Sequence, residues 1–287
     1  MTDDNAADVR AGPRDAAPHV TVGLSQRVRT LDRMYAERPS RLDGAVVWTR
    51  PPVAGGGSDP YPVLPDGCMD LLWIGGRLLV AGPDTRAYVP EGTAGVYCAG
   101  VRFPPGTAPA LLGVPAHELR DRRVEPVDLW PAARVRRLTA RLAAARDPAG
   151  ALEAVALELA AGAGPPDPLL RAVVGGLAAG RTVAETAGAV GLGARQLHRR
   201  SLDAFGYGPK TLARILRLQR ALALVRSGVP YADAALRAGC ADQAHLARET
   251  RALTGLTLRA LTAPVRPGYP ASAKSETSPP SGSSTTA

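Results

Sequence analysis

Two stretches of the chain repeat each other, and this repeat narrows the available folds more than any other feature. Ala187 and Gly191 recur as Ala235 and Gly239, 48 residues on, while Leu197, Arg199, Gly206 and Leu212 recur as Leu246, Arg248, Gly255 and Leu261, 49 residues on. The one-residue difference predicts a longer turn in the second copy. Each copy reads as a short helix, a glycine turn, a second helix and a glycine stop: "TVAETAGAVG" with "ARQLHRRSLDAFG", then "YADAALRAGC" with "DQAHLARETRALTG". An Ala four residues before a Gly suits two helices that cross closely at a tight turn, because Ala leaves room and Gly accepts a positive φ. Two copies in register predict a pair of helix-turn-helix units.

The charge of the chain is placed to match. The formal net charge is +9, yet residues 1–165 hold 19 Arg and 19 acidic residues, whereas residues 166–266 hold 15 basic and 6 acidic ones. All of the excess lies in the segment that carries the repeat, which points to a polyanionic partner for that segment alone. On the second helix of the first copy, Leu197 and Phe205 fall on the inward face, and Arg195, His198 and Arg199, at i, i+3 and i+4, share the outward one. That face suits the DNA major groove, where Arg donates twice to guanine and His or Gln bonds base edges. The second copy offers Gln243, Ala244, His245 and Arg248 at matching places. Two of the four histidines thus sit on outward faces of the repeat.

Between roughly residues 42 and 113 the pattern is different. Short apolar runs, "AVVWTR", "DLLWIGG", "RLLVAGPD", "GVYCAGVRF" and "APALLG", alternate with turn residues such as Pro65-Asp66-Gly67 and Gly82-Pro83-Asp84, which predicts a small antiparallel β structure. From about residue 115 helical periodicity takes over, in "PAHELRDRR", "PAARVRRLTARLAAAR" and "AGALEAVALELAAGA". "GPPDP", 164–168, is the best boundary. The expected organisation is a tail over 1–24, a sensor or dimerisation domain over 25–165, a DNA-binding domain over 166–265 and a second tail over 266–287. The tails are rich in Ala, Pro, Ser, Gly and Thr, with too little apolar bulk to offset ordering entropy.

The segments "RQLHRRSLDAFGYGPKTLARILRLQRAL" and "AGCADQAHLARETRALTGLT" resemble the double helix-turn-helix domain of the AraC/XylS family of bacterial transcription regulators. "LPDGCMDLLWIGGRLLVAGPDTRA" and "GVRFPPGTAPALLGVPAHELRDRRV" resemble the N-terminal domain that accompanies it in many actinobacterial members. The resemblance implies an α+β chain: a β-rich, cupin-like first domain with trailing helices, then an all-α domain whose two motifs are joined by one long helix, here "PKTLARILRLQRALALVRSG". It places base contacts on Arg195, His198 and Arg199 and on Gln243, Ala244 and Arg248, with His245 adjacent. Arg200 and Lys210 are expected at DNA phosphates, and Thr182 as an N-cap presenting a helix start to the backbone. The sequence departs from the family at Ser201 and Thr250, where a large apolar residue is usual, at Leu258, where Pro is frequent, and at Cys240, where an aromatic is common.

Double-stranded DNA is therefore the expected partner, with RNA polymerase and a small-molecule effector left open, as are monomer and homodimer. Three scattered cysteines, Cys68, Cys98 and Cys240, offer neither a disulfide framework nor a CxxC zinc site, and no cofactor or metal is expected. His117 alone between residues 40 and 165 is too little for a metal-dependent cupin enzyme, so no catalytic residue is assigned. An enzymatic first domain localised by the DNA-binding one is the competing reading. Asp66, Cys68 and Asp70 in "PDGCMD" are read as a turn carboxylate and strand positions, and Trp48, Trp73, Tyr88 and Tyr97 as core or pocket lining. Without an apolar run of about 18 residues or a basic, apolar leader, the expected location is the cytoplasm, with no membrane partner.

Overall fold

The computed structural model describes residues 35–52, 62–90, 93 and 95–263. The stretches expected as tails, 1–24 and 266–287, lie outside the described residues. The first half forms one antiparallel sheet from β1 (Ala36–Pro39), β2 (Val46–Arg50), β3 (Met69–Ile74), β4 (Arg77–Ala81), β5 (Cys98–Phe103) and β6 (Arg123–Val124), in the spatial order β1-β2-β5-β3-β4-β6. Period-two alternation sorts the strands into two faces. Val47, Met69, Leu71, Trp73, Leu78, Val80, Ala99, Val101 and Phe103 enter the main core, and Trp48, Leu72, Ala81 and Cys98 form a smaller cluster on the reverse face. The Trp48 ring lies against Gly100, where an added Cβ would come within 2.3 Å of it, so only glycine fits there.

Two local expectations fail. "APALLG" forms helix α1 (Ala108–Leu112) rather than a strand: Pro109 starts it and Gly113, at φ 77°, closes it through a bond to the Pro109 carbonyl. "PAHELRDRR" is helical only over α2 (Ala116–Leu119); the chain then turns through Asp121, at φ 58°, and Arg123–Val124 pair with β4. Strand pairing at the sheet edge overrides the local helical pattern.

Helices α3 (Ala132–Ala144) and α4 (Pro148–Ala163) follow, and α4 covers the main sheet core through Leu152, Val155, Ala156 and Leu159. Glu153, at 3% exposure, ties α4 to the sheet edge. Its carboxylate accepts from Arg38 Nη2 (2.9 Å), Ser40 Oγ (2.9 Å) and the Arg41 N–H (2.7 Å), and these bonds, that of Arg38 foremost, hold its pKa down at about 2.

The second half is all helix: α5 (Pro168–Ala178), α6 (Val183–Ala189), α7 (Ala194–Phe205), α8 (Pro209–Arg226), α9 (Tyr231–Ala238), α10 (Gln243–Thr254) and α11 (Leu258–Thr262). Its core, separate from that of the sheet, collects Val173, Leu177, Leu197, Phe205, Leu212, Ile215, Leu216, Leu222, Leu246 and Leu253. The connections α6–α7 and α9–α10 span 190–193 and 239–242, equal in length. Within those spans the longer second turn expected from the repeat is present: Leu192 alone separates the turn glycine Gly191 from the cap Gly193, whereas Cys240 and Ala241 separate Gly239 from the cap Asp242.

The halves are closely docked. Leu64 joins the helical core, Gln219 Nε2 donates to the Pro65 carbonyl (2.6 Å), and the Ala87 N–H donates to the Leu253 carbonyl (2.9 Å). Pro83 packs on Gly206, and Phe205 on Gly106. No helix among the described residues is long and apolar enough to cross a membrane.

Candidate nucleic-acid interface

Each copy of the repeat builds the same object. In the first, Ala187 is buried where α6 crosses α7, and Gly191, at φ 67°, turns the chain; in the second, Ala235 is fully buried and Gly239 has φ 90°. Thr182 caps α6 reciprocally with Glu185: its Oγ1 accepts from the Glu185 N–H (3.1 Å), and the Glu185 carboxylate accepts from the Thr182 N–H (2.8 Å). These bonds lower the Glu185 pKa, so a carboxylate already occupies that helix start. Asp242 caps α10 through the His245 N–H (2.6 Å).

On α7, Leu197 and Phe205 are 1% exposed, and Arg195, His198, Arg199 and Arg200 are all exposed, as the periodicity requires. His198 lies over Gly208, where an added Cβ would fall 2.8 Å from its ring, so α7 and the start of α8 hold the imidazole between them. Arg200 forms an ion pair with Asp167 at 3.7 Å and stays half exposed, and Lys210 is exposed in the first turn of α8, just after Pro209. On α10, Gln243, Ala244 and Arg248 are exposed, and Leu246 is fully buried.

His245 departs from the free outward position. Its Nδ1 accepts from the Ala241 N–H (3.2 Å), and its Nε2 lies 3.7 Å from Glu249, which α8 holds through Arg214 (3.1 Å) and Arg217 (3.0 Å). The Arg214–Glu249–Arg217 bridge, which locks α10 onto the long helix, has no counterpart in the sequence pattern because its partners are more than thirty positions apart. Arg181, Arg217 and Arg220 also line a small cleft with Gly180 and Gly239. Burial, then the charge of Arg217, lowers the pKa of Arg220, which spends its donors on the carbonyls of Ala238 and Leu177.

The four departures from the family pattern are all buried. Ser201 and Thr250 are both at 0% exposure; Thr250 Oγ1 bonds the Leu246 carbonyl (2.8 Å), and Ser201 Oγ has no hydrogen-bond partner. Leu258 and Cys240 are at 5%. Burial raises the Cys240 pKa. In the first half, Asp66 Oδ1 accepts from the Cys68 N–H (2.9 Å), the turn role expected of it, and Asp70 accepts from Trp48 Nε1 (2.7 Å). Trp73 is core, whereas Tyr88 is partly exposed under the guanidinium of Arg123.

A family model described as a helix-turn-helix domain matches residues 186–263, and one for a domain of unknown function, DUF6597, matches residues 45–125. Among solved structures, an apo variant of ToxT from Vibrio cholerae strain SCE256 is 10% identical with a TM-score of 0.43, the match covering 76% of this chain and 96% of that one. ToxT from Vibrio cholerae at 1.65 Å is 9% identical with a TM-score of 0.42, covering 80% and 98%. No curated protein matches the chain.

Proposed function

We propose that this chain, a DNA-binding transcription regulator whose C-terminal part is an AraC-type helix-turn-helix domain, reads two successive major-groove segments with α7 and α10. The observation that carries the reading is the pairing of two exposed helix faces, Arg195, His198 and Arg199 on one and Gln243, Ala244 and Arg248 on the other, each backed by a fully buried leucine. The 18-residue α8 joins them. At 1.5 Å per residue it spans about 27 Å, close to the roughly 34 Å between successive major-groove faces. Arg195, Arg199 and Arg248 donate to base edges. His198 and Gln243 add smaller preferences and Ala244 an apolar contact, while His245, turned to Ala241 and Glu249, lies outside the reading face.

Arg200 and Lys210 anchor phosphates. Thr182 presents the α6 start to the backbone through its N–H groups, weakened there by the Glu185 carboxylate. The first half serves as the sensor or dimerisation domain of a cytoplasmic regulator, with a small-molecule effector and RNA polymerase as further partners. Its buried charged side chains are spent on ion pairs, Arg102 on Glu37 and Asp66, Asp84 on Arg123 and Glu153 on Arg38, which favours this over an enzyme.

The test compares Arg199→Ala with Lys210→Ala on matched and scrambled duplexes across a salt series. Loss of a base contact costs on the order of 1–3 kcal/mol on the matched duplex and relaxes preference at one position. Loss of a phosphate contact weakens all duplexes alike and reduces the log–log salt slope by about one unit. Uniform loss in both variants contradicts base reading by α7.

A further inference from the structure

The second motif brings three metal-binding side chains together at the foot of its recognition helix. Cys240 Sγ, a ring nitrogen of His245 and a carboxylate oxygen of Glu249 all lie within 4.8 Å of one another. The local fold sets this up. His245 and Glu249 are i and i+4 on α10 and so share a face. Cys240 sits in the turn just before that helix, placed by the positive φ of Gly239 and by its own N–H bond to the Ala235 carbonyl (2.8 Å). The matching positions of the first copy hold Leu192, Gln196 and Arg200, none of them a Cys, a His or a carboxylate, so the cluster is not a by-product of the repeat.

We propose that Cys240, His245 and Glu249 form a three-ligand site for a borderline-soft divalent cation of the Zn2+ class. Sulfur, nitrogen and oxygen donors together suit such an ion, whereas Ca2+ and Mg2+ require oxygen ligands throughout. Ligand atoms about 2.0–2.3 Å from a tetrahedral zinc lie about 3.3–3.8 Å from each other. Closing from 4.8 Å to that spacing shortens the donor separations by at most about 1–1.5 Å. The contacts a cation would displace are weak ones, the 3.2 Å approach of the Ala241 N–H to Nδ1 or the 3.7 Å approach of Nε2 to Glu249.

Arg214 and Arg217 each bond one oxygen of the Glu249 carboxylate, and a carboxylate has lone pairs left for a metal. They orient the ligand as outer partners do, while their two charges reduce the affinity. The cluster is most open to solvent at His245, whose side chain is 34% exposed against 12% for Glu249. A bound cation draws His245 against the turn and leaves Gln243, Ala244 and Arg248 as the reading face of α10. That consequence rests on the function proposed above; the metal site itself does not.

The test is titration of the metal-free full-length chain with Co2+, followed by absorption. The expected result is one equivalent bound with a thiolate-to-cobalt charge-transfer band and tetrahedral visible bands, all displaced by Zn2+. Cys240→Ser abolishes the charge-transfer band, while Cys68→Ser and Cys98→Ser leave it intact. His245→Gln, at a half-exposed position where folding is not at stake, weakens Co2+ binding about tenfold or more, as does Glu249→Gln. Three results overturn the site: no charge-transfer band at saturating Co2+, a band that survives Cys240→Ser, or unchanged affinity in His245→Gln. A chain that binds Co2+ with these dependences yet binds no DNA would contradict the proposed function and leave the site standing.

Discussion

Ser201 and Tyr207 each bury a hydroxyl that makes no hydrogen bond, Ser201 at 0% exposure inside α7 and Tyr207 at 2% where the two halves meet. A polar group taken from water without a partner costs about 1–3 kcal/mol, so its removal should stabilise. Ser201→Ala is expected to raise unfolding stability by about 1 kcal/mol, helped by the better helix propensity of Ala, and Tyr207→Phe by a similar amount. Urea unfolding measures both, and a loss of stability in either would mean that the hydroxyl has a partner in solution. Burial also drives the Tyr207 pKa well above its ordinary value, so the phenol stays neutral and its stability effect does not change with pH across the physiological range. Glu153 behaves in the opposite way. Its folded-state pKa of about 2 lies below the ordinary 4.5, so its contribution is complete above about pH 4.5 and fades as the pH falls towards 2. Glu153→Gln should therefore lower the melting temperature clearly at pH 7 and by progressively less below pH 4.5. A difference independent of pH would show that the variant loses packing rather than charge.

Among the elements, the turns between paired helices carry the strictest demands. Gly206 ends α7 at φ 81°, where an L side chain is strained, and an added Cβ would stand 2.6 Å from Pro83 Cγ and 3.1 Å from the Ala116 carbonyl. Gly206→Ala should cost more than the ~1–2 kcal/mol of the backbone alone, because it also pushes the first half away from α7. Hydrogen exchange in α2 and α7 checks this: both should open faster together, and faster exchange in α7 alone would show that the docking is not strained. The helices of the repeat were legible from periodicity and from Thr182, Gly191 and Gly239, whose effects act within a few residues. The strands were legible as short apolar runs bounded by turn residues, as in Met69–Ile74 after Pro65-Asp66-Gly67. "APALLG" and "PAHELRDRR" were misread because a five-residue helix and a two-residue edge strand are too short to show a period, and their states depend on Gly113 and on pairing with β4.

At the scale of the molecule, the sheet half grips the end of α7 and reaches the end of α10. Arg120 donates to the Gly206 carbonyl (3.3 Å), His117 meets Asp203 at 3.4 Å, and Ala87 bonds Leu253. None of these contacts had a sequence signal, since each joins positions tens of residues apart, and the Arg214–Glu249–Arg217 bridge escaped notice for the same reason. The outward faces were legible: every side chain from Arg195 to Arg200 except Leu197 is exposed. The central claim is that α7 and α10 read separate segments of one DNA site, and selection of binding sites from random duplexes tests it most directly. The full chain should select two boxes about ten base pairs apart, with Arg199→Ala relaxing one box and Arg248→Ala the other. No recovered motif, or the same uniform loss of preference in both variants, would contradict the claim.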